Sequence, residues 1–118
     1  MAKEVKFVPK DCEGDAAPFE GCIVLTAPTY FERLEYTELS GVEFDETGKP
    51  AMKGNMIKCL RALVEATKKH YVSVNIKRKS DGLKYETFDD LSVDPACGSM
   101  ITETAYALLG GMGPSEKR

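Results

Sequence analysis

Residues 51–71, AMKGNMIKCLRALVEATKKHY, constrain the fold more than any other stretch of this chain. Met52, Met56, Ile57, Leu60, Leu63 and Val64 recur at the spacing of one helical face rather than of a strand. Burying six such side chains is worth roughly 1.5–3 kcal/mol each, while fixing each residue costs about 1–2 kcal/mol, so the helix needs a partner surface. The expectation is a helix at the centre of the core, with Leu60 on its buried stripe. Gly54 and Asn55 are poor interior residues, which puts the regular start at Asn55 and leaves 51–53 as a frayed or separate turn.

The period changes at Tyr71. Tyr71 to Lys77 alternates apolar and polar residues, Asp81-Gly82 supplies a turn, and residues 84–88 alternate again, which predicts a β-hairpin burying Val72, Val74, Ile76, Tyr85 and Phe88. Cys22 to Thr26 is a short β-branched run between Gly21 and Pro28 and reads as one further strand. Val5 to Val8 is β-prone but short, and residues 10–20 read as loop. Thr29 and Glu32 have capping-box spacing, so a short helix starts there, with Tyr30, Phe31 and Leu34 on one face. Residues 43–50 read as an exposed turn. Asp94-Pro95 opens a last helix with Cys97, Ile101, Ala105 and Leu108 on one face and Gly110-Gly111 as its stop. The sum is an α+β fold of about three helices with a central hairpin and one further short strand. One domain spans 1–111, and 112–118 is a mobile tail.

Charge is segregated along the chain. Residues 1–48 carry a net −7, residues 49–79 a net +8 and residues 80–118 a net −4, within an overall charge of −3. Lys58, Arg61, Lys68, Lys69, Lys77, Arg78 and Lys79 therefore form a candidate interaction surface. It would serve an anionic partner, or be neutralised within the fold or across an oligomer. Lys68, Lys69 and His70 also suit the negative end of the helix dipole. With no apolar run of membrane-spanning length and no leader-like segment, the expected location is the cytoplasm.

The chemistry-bearing residues do not assemble into a motif. Cys12, Cys22, Cys59 and Cys97 include no C-x-x-C pair, and one histidine is present, so neither metal nor cofactor is expected. Cys59 and Cys97 fit the role of small buried hydrophobes. Gly98-Ser99 lacks the G-x-S-x-G elbow, and the glycines after Leu109 follow a helix without the lysine of a phosphate loop. The expectation is a protein without enzymatic activity.

The string Leu34-Glu35-Tyr36-Thr37-Glu38-Leu39-Ser40-Gly41, followed by an apolar helix and a hairpin leading into Phe88-Asp89-Asp90-Leu91, resembles the small tail assembly chaperones of long-tailed bacteriophages over residues 29–111. That resemblance implies a non-enzymatic protein that holds the helical tape measure protein soluble while tail tube subunits assemble round it. It also implies a minority product extended by frameshifting near the end of the shorter form. The competing expectation is a small nucleic-acid-binding protein using the basic segment 49–79, with Tyr71 stacking on a base. The acidic whole and the sparse aromatics favour protein partners, including self-association in which the basic helix and hairpin meet acidic surface from Glu32 to Glu46 of a neighbour.

Overall fold

The computed structural model describes residues 3–44, 46–47, 50–52 and 55–110. The fold is α+β: four α-helices and a four-stranded antiparallel sheet. The sheet has the order β1 (Glu4–Phe7), β2 (Phe19–Thr26), β5 (Tyr71–Arg78) and β6 (Lys84–Tyr85). Between β2 and β5 come α1 (Tyr30–Leu39), the paired strands β3 (Val42–Phe44) and β4 (Pro50–Met52), and α2 (Met56–Thr67). After β6 come the short α3 (Phe88–Ser92), a 3-10 turn at Pro95–Cys97 and α4 (Gly98–Leu109).

One face of the sheet is covered. Ile23 and Leu25 of β2, Val74 and Ile76 of β5, and Tyr85 of β6 pack with Leu91, Met100 and Leu108 into the main core. A second, smaller cluster joins Tyr36 of α1, Leu63 of α2 and Ala105 of α4. The helix that organises the interior is thus α4, which faces the sheet through Met100 and Leu108 and the α1–α2 pair through Ala105. The expectation that the 51–71 helix sits at the centre is corrected here. Its regular part does begin after Asn55, whose side chain accepts the Lys58 N–H at 3.0 Å. But only Leu63 and Thr67 are buried along it, Leu60 is half-buried, and Met56 and Ile57 are 60% and 78% exposed. A 3.6-residue stripe requires cover on one side; it does not say how much of its length receives it.

Three other expectations shift. The pairing of β2 with β5 slips by one residue between Val24 and Leu25, so that Leu25 faces Tyr71 while Val24 faces Ser73. That bulge inverts the alternation, turning Tyr71 toward the core and leaving Val72 exposed. Phe88 is not in the second hairpin strand, because Thr87 and Asp90 form a capping box that starts α3 there. Residues 43–50, read as a turn, contribute to the ribbon of β3 and β4, while Asp45, Gly48 and Lys49 lie outside the described residues, as does the tail 112–118.

Residues 10–20 are tied down more firmly than their composition suggests. The Lys10 N–H donates to both carboxylate oxygens of Glu103, Ser99 donates to Asp11 at 2.7 Å, and Phe19 and Glu20 already belong to β2. At Gly21, φ is +121° and an added Cβ would stand 1.8 Å from the Asn75 carbonyl oxygen, so β2 and β5 pair closely only because this residue has no side chain. No disulfide links any two of Cys12, Cys22, Cys59 and Cys97.

Candidate interaction surface

The first helix is fixed at its start and along one side. Thr29 Oγ1 accepts the Glu32 N–H at 3.1 Å and Glu32 Oε1 accepts the Thr29 N–H at 2.9 Å, the reciprocal box anticipated from the spacing. One turn on, Tyr36 is 1% exposed and its hydroxyl lies 2.8 Å from His70 Nε2. The other ring nitrogen, Nδ1, lies 3.0 Å from the Thr26 carbonyl and 2.9 Å from the Thr26 hydroxyl. A carbonyl can only accept, so Nδ1 carries a proton, and in the neutral ring that burial favours Nε2 then accepts from Tyr36. A neutral imidazole therefore joins the end of β2, α1 and the turn after α2. Burial lowers the His70 pKa, against the opposing pull of the Glu32 carboxylate and the Thr26 carbonyl. This corrects the reading of His70 as a contact to the helix dipole.

With Tyr36 inward, the rest of α1 follows from helical geometry. Tyr30, Leu34 and Phe31 fall within an arc of about 100°, and Tyr36, Leu39 and Ser40 lie on the far side. Tyr30 is 66% exposed, Phe31 77% and Leu34 50%. The apolar face recognised in the sequence is real, but it points away from the body of the protein. The rings of Tyr30 and Phe31 meet edge to face, with centroids 5.5 Å apart. Glu35 and Glu38 stand exposed beside them.

The basic residues are dispersed rather than gathered. Lys69 pairs with Glu32 at 3.1 Å, drawing the Glu32 pKa down together with the Thr29 N–H, and Lys77 pairs with Glu20 at 3.1 Å. Arg78 holds Asp81 at 2.7 Å and reaches Asp94 at 3.4 Å, which pushes the Asp81 pKa down to about 2. Lys68 lies 3.7 Å from Glu65 and above the Phe88 ring, and Lys79 Nζ donates to the carbonyls of Gly14 and Asp15. Lys58 and Arg61 stand exposed on the outer side of α2, beside Ile57. Lys68, Lys69, Lys77, Arg78 and Lys79 thus make contacts within their own chain.

Two other sites have chemical content. A groove of about 280 Å³ lies between Lys68, Tyr71, Val72, Phe88 and Asp89, open at the end of the short β6. Cys97 is fully buried, and burial and the nearby Asp94 push its thiol pKa up, the opposite of what a nucleophile needs. Tyr85 donates to Asp94, which also accepts the Ala96 N–H as the cap of the 3-10 turn. Among the described residues, no three of the His, Cys, Asp and Glu side chains gather as a metal-ligating group. No described helix is long and apolar enough to cross a membrane. Comparison with family models, with curated proteins and with solved structures gives no match.

Proposed function

We propose that this protein is a non-enzymatic assembly chaperone or adaptor that receives an amphipathic helix of a client on the outer face of α1. The observation that carries the reading is the placement of Tyr30, Phe31 and Leu34 opposite the anchored Tyr36. Exposed apolar side chains scattered singly are ordinary, but three on one helical face with two aromatics in edge-to-face contact supply the kind of anchors that dominate protein interfaces. The tape measure protein of a long-tailed phage is the client, and tail tube protein the second partner, by the resemblance of residues 29–111 to tail assembly chaperones. Self-association belongs to the same proposal. Nucleic-acid binding is the less supported reading, since Lys69, Lys77 and Arg78 already pair with carboxylates in their own chain.

The test is binding of a fluorescein-labelled amphipathic helical segment of a tape measure protein, followed by anisotropy, to the intact chain and to Leu34→Asp. Saturable binding that weakens at least about tenfold in the variant supports the reading. Binding indifferent to Leu34, or its absence with every helical segment tried, removes it. A labelled duplex or single strand that binds instead and dissociates steeply with salt would establish the nucleic-acid reading.

A further inference from the structure

The first strand is an edge of the sheet, and no described strand pairs along its outer side. An edge of this kind offers unpaired N–H and C=O groups to any further strand. Which groups are free follows from the pairing with β2. The Ala27 N–H donates to the Lys3 carbonyl at 2.7 Å, so Lys3, Val5 and Phe7 aim their backbone groups at β2, and Glu4 and Lys6 aim theirs away from the sheet. The side chains alternate in step. Val5 and Phe7 pack against the main core, whereas Glu4 and Lys6 are exposed on the opposite face.

We infer that β1 pairs with β1 of a second copy of this chain, antiparallel and centred on Val5, joining two sheets edge to edge. The choice of a second copy rests on charge complementarity in a single register. Two-fold pairing through the outward backbone groups can be centred on Glu4, on Val5 or on Lys6. Centring on Glu4 sets Glu4 against Glu4, and centring on Lys6 sets Lys6 against Lys6; like charges directly opposite are destabilising. Centring on Val5 sets each Glu4 against Lys6 of the second copy. Those two residues then exchange both backbone hydrogen bonds and place an ion pair on the exposed face. Val5 meets Val5 at the closer, non-hydrogen-bonded position, on the side where the helices lie. The strand ends at Phe7 and the chain enters a 3-10 turn at Lys10–Cys12, so the pairing cannot run on past Val8. The interface is short, and the dimer it makes is weak and concentration-dependent.

This places the self-association proposed above and is independent of the client. The experiment is sedimentation velocity of the intact chain over a concentration series, with Glu4→Lys, Lys6→Glu and the double exchange Glu4→Lys/Lys6→Glu. Each single change sets like charges opposite one another and is expected to weaken the dimer at least about tenfold, while the double exchange restores it. Circular dichroism and the thermal midpoint should not move in any of them, because both side chains are exposed. A dimer unaffected by the single changes, or not restored by the double, overturns pairing through β1 and leaves self-association by another surface standing. A chain that stays monomeric at every concentration overturns both.

Discussion

The two clusters of buried side chains differ in what surrounds them. The sheet, α3 and α4 enclose a continuous apolar interior, with Ile23, Leu25, Leu91, Met100 and Leu108 fully buried. The apolar cluster at the α1–α2 flank joins only Tyr36 and Leu63 to Ala105 of α4, and its largest inward group is a tyrosine whose hydroxyl is spent on a histidine. On the same flank Phe31 and Ile57 are, among the described residues, the most exposed large apolar side chains after Val93. Apolar surface turned outward contributes nothing to the stability of the isolated chain. The two regions are held differently: the sheet and α4 enclose the main core, and the flank is fastened to them by a polar latch with the apolar side chains of Tyr30, Phe31 and Leu34 exposed.

Core truncations should separate the regions most strongly. Ile23→Ala removes a fully buried side chain from between β2 and α4 and should cost about 2–5 kcal/mol in urea unfolding. Leu63→Ala, buried in the smaller cluster where α2 can move inward to fill the space, should fall at or below the lower end of that range. Equal costs would mean that the flank is as firmly built as the sheet.

Acid should loosen the flank before the body. His70 has its pKa lowered by burial, so the folded state favours the neutral ring and the unfolded chain binds the proton more readily. That stability is in place above the ordinary histidine value near 6.5 and is lost as pH falls through the lower folded value. Glu32, whose pKa is lowered by the Thr29 N–H and by Lys69, adds a second loss below the ordinary value of 4.5. Amide protection factors in α1 should therefore fall as pH drops between these two ordinary values while those of β2 and β5 do not, and Tyr36→Phe, which leaves Nε2 without its donor, should lower them already at neutral pH. Uniform exchange across both regions would dissolve the distinction between them.

Much of this architecture was legible locally. Thr29 with Glu32, Asn55 and Asp81-Gly82 act as their spacing indicated, because caps and turns depend on neighbours a few residues away, whereas Asp94-Pro95 opens a 3-10 turn that precedes α4 instead of opening α4 itself. What was not legible depends on long-range partners. The 51–71 stripe announced a helix but not how much of it would be covered, and α4, less regular in pattern, proved central because it is contacted from two sides. The bulge at Val72 arises from the register with β2, which no stretch of either strand contains alone. Tyr30, Phe31 and Leu34 were visible as a face, but periodicity is symmetric between in and out, and what orients α1 is the bond from Tyr36 to a histidine 34 positions away. The basic segment looked like one surface because neighbours in sequence were counted together; their partners, Glu20, Glu32, Asp81 and Asp94, come from every part of the chain.

The smallest effect on stability carries the most weight. Phe31→Asp replaces a side chain that is 77% exposed, so urea unfolding should shift by no more than about 0.5 kcal/mol. The same variant, titrated with the labelled amphipathic tape measure segment, should bind at least about tenfold more weakly than the parent. An unchanged fold with lost binding is what a face kept for partners requires. A destabilisation of the size expected for Ile23→Ala, or binding equal to the parent's, would show that the outer face of α1 is not the surface this account makes it.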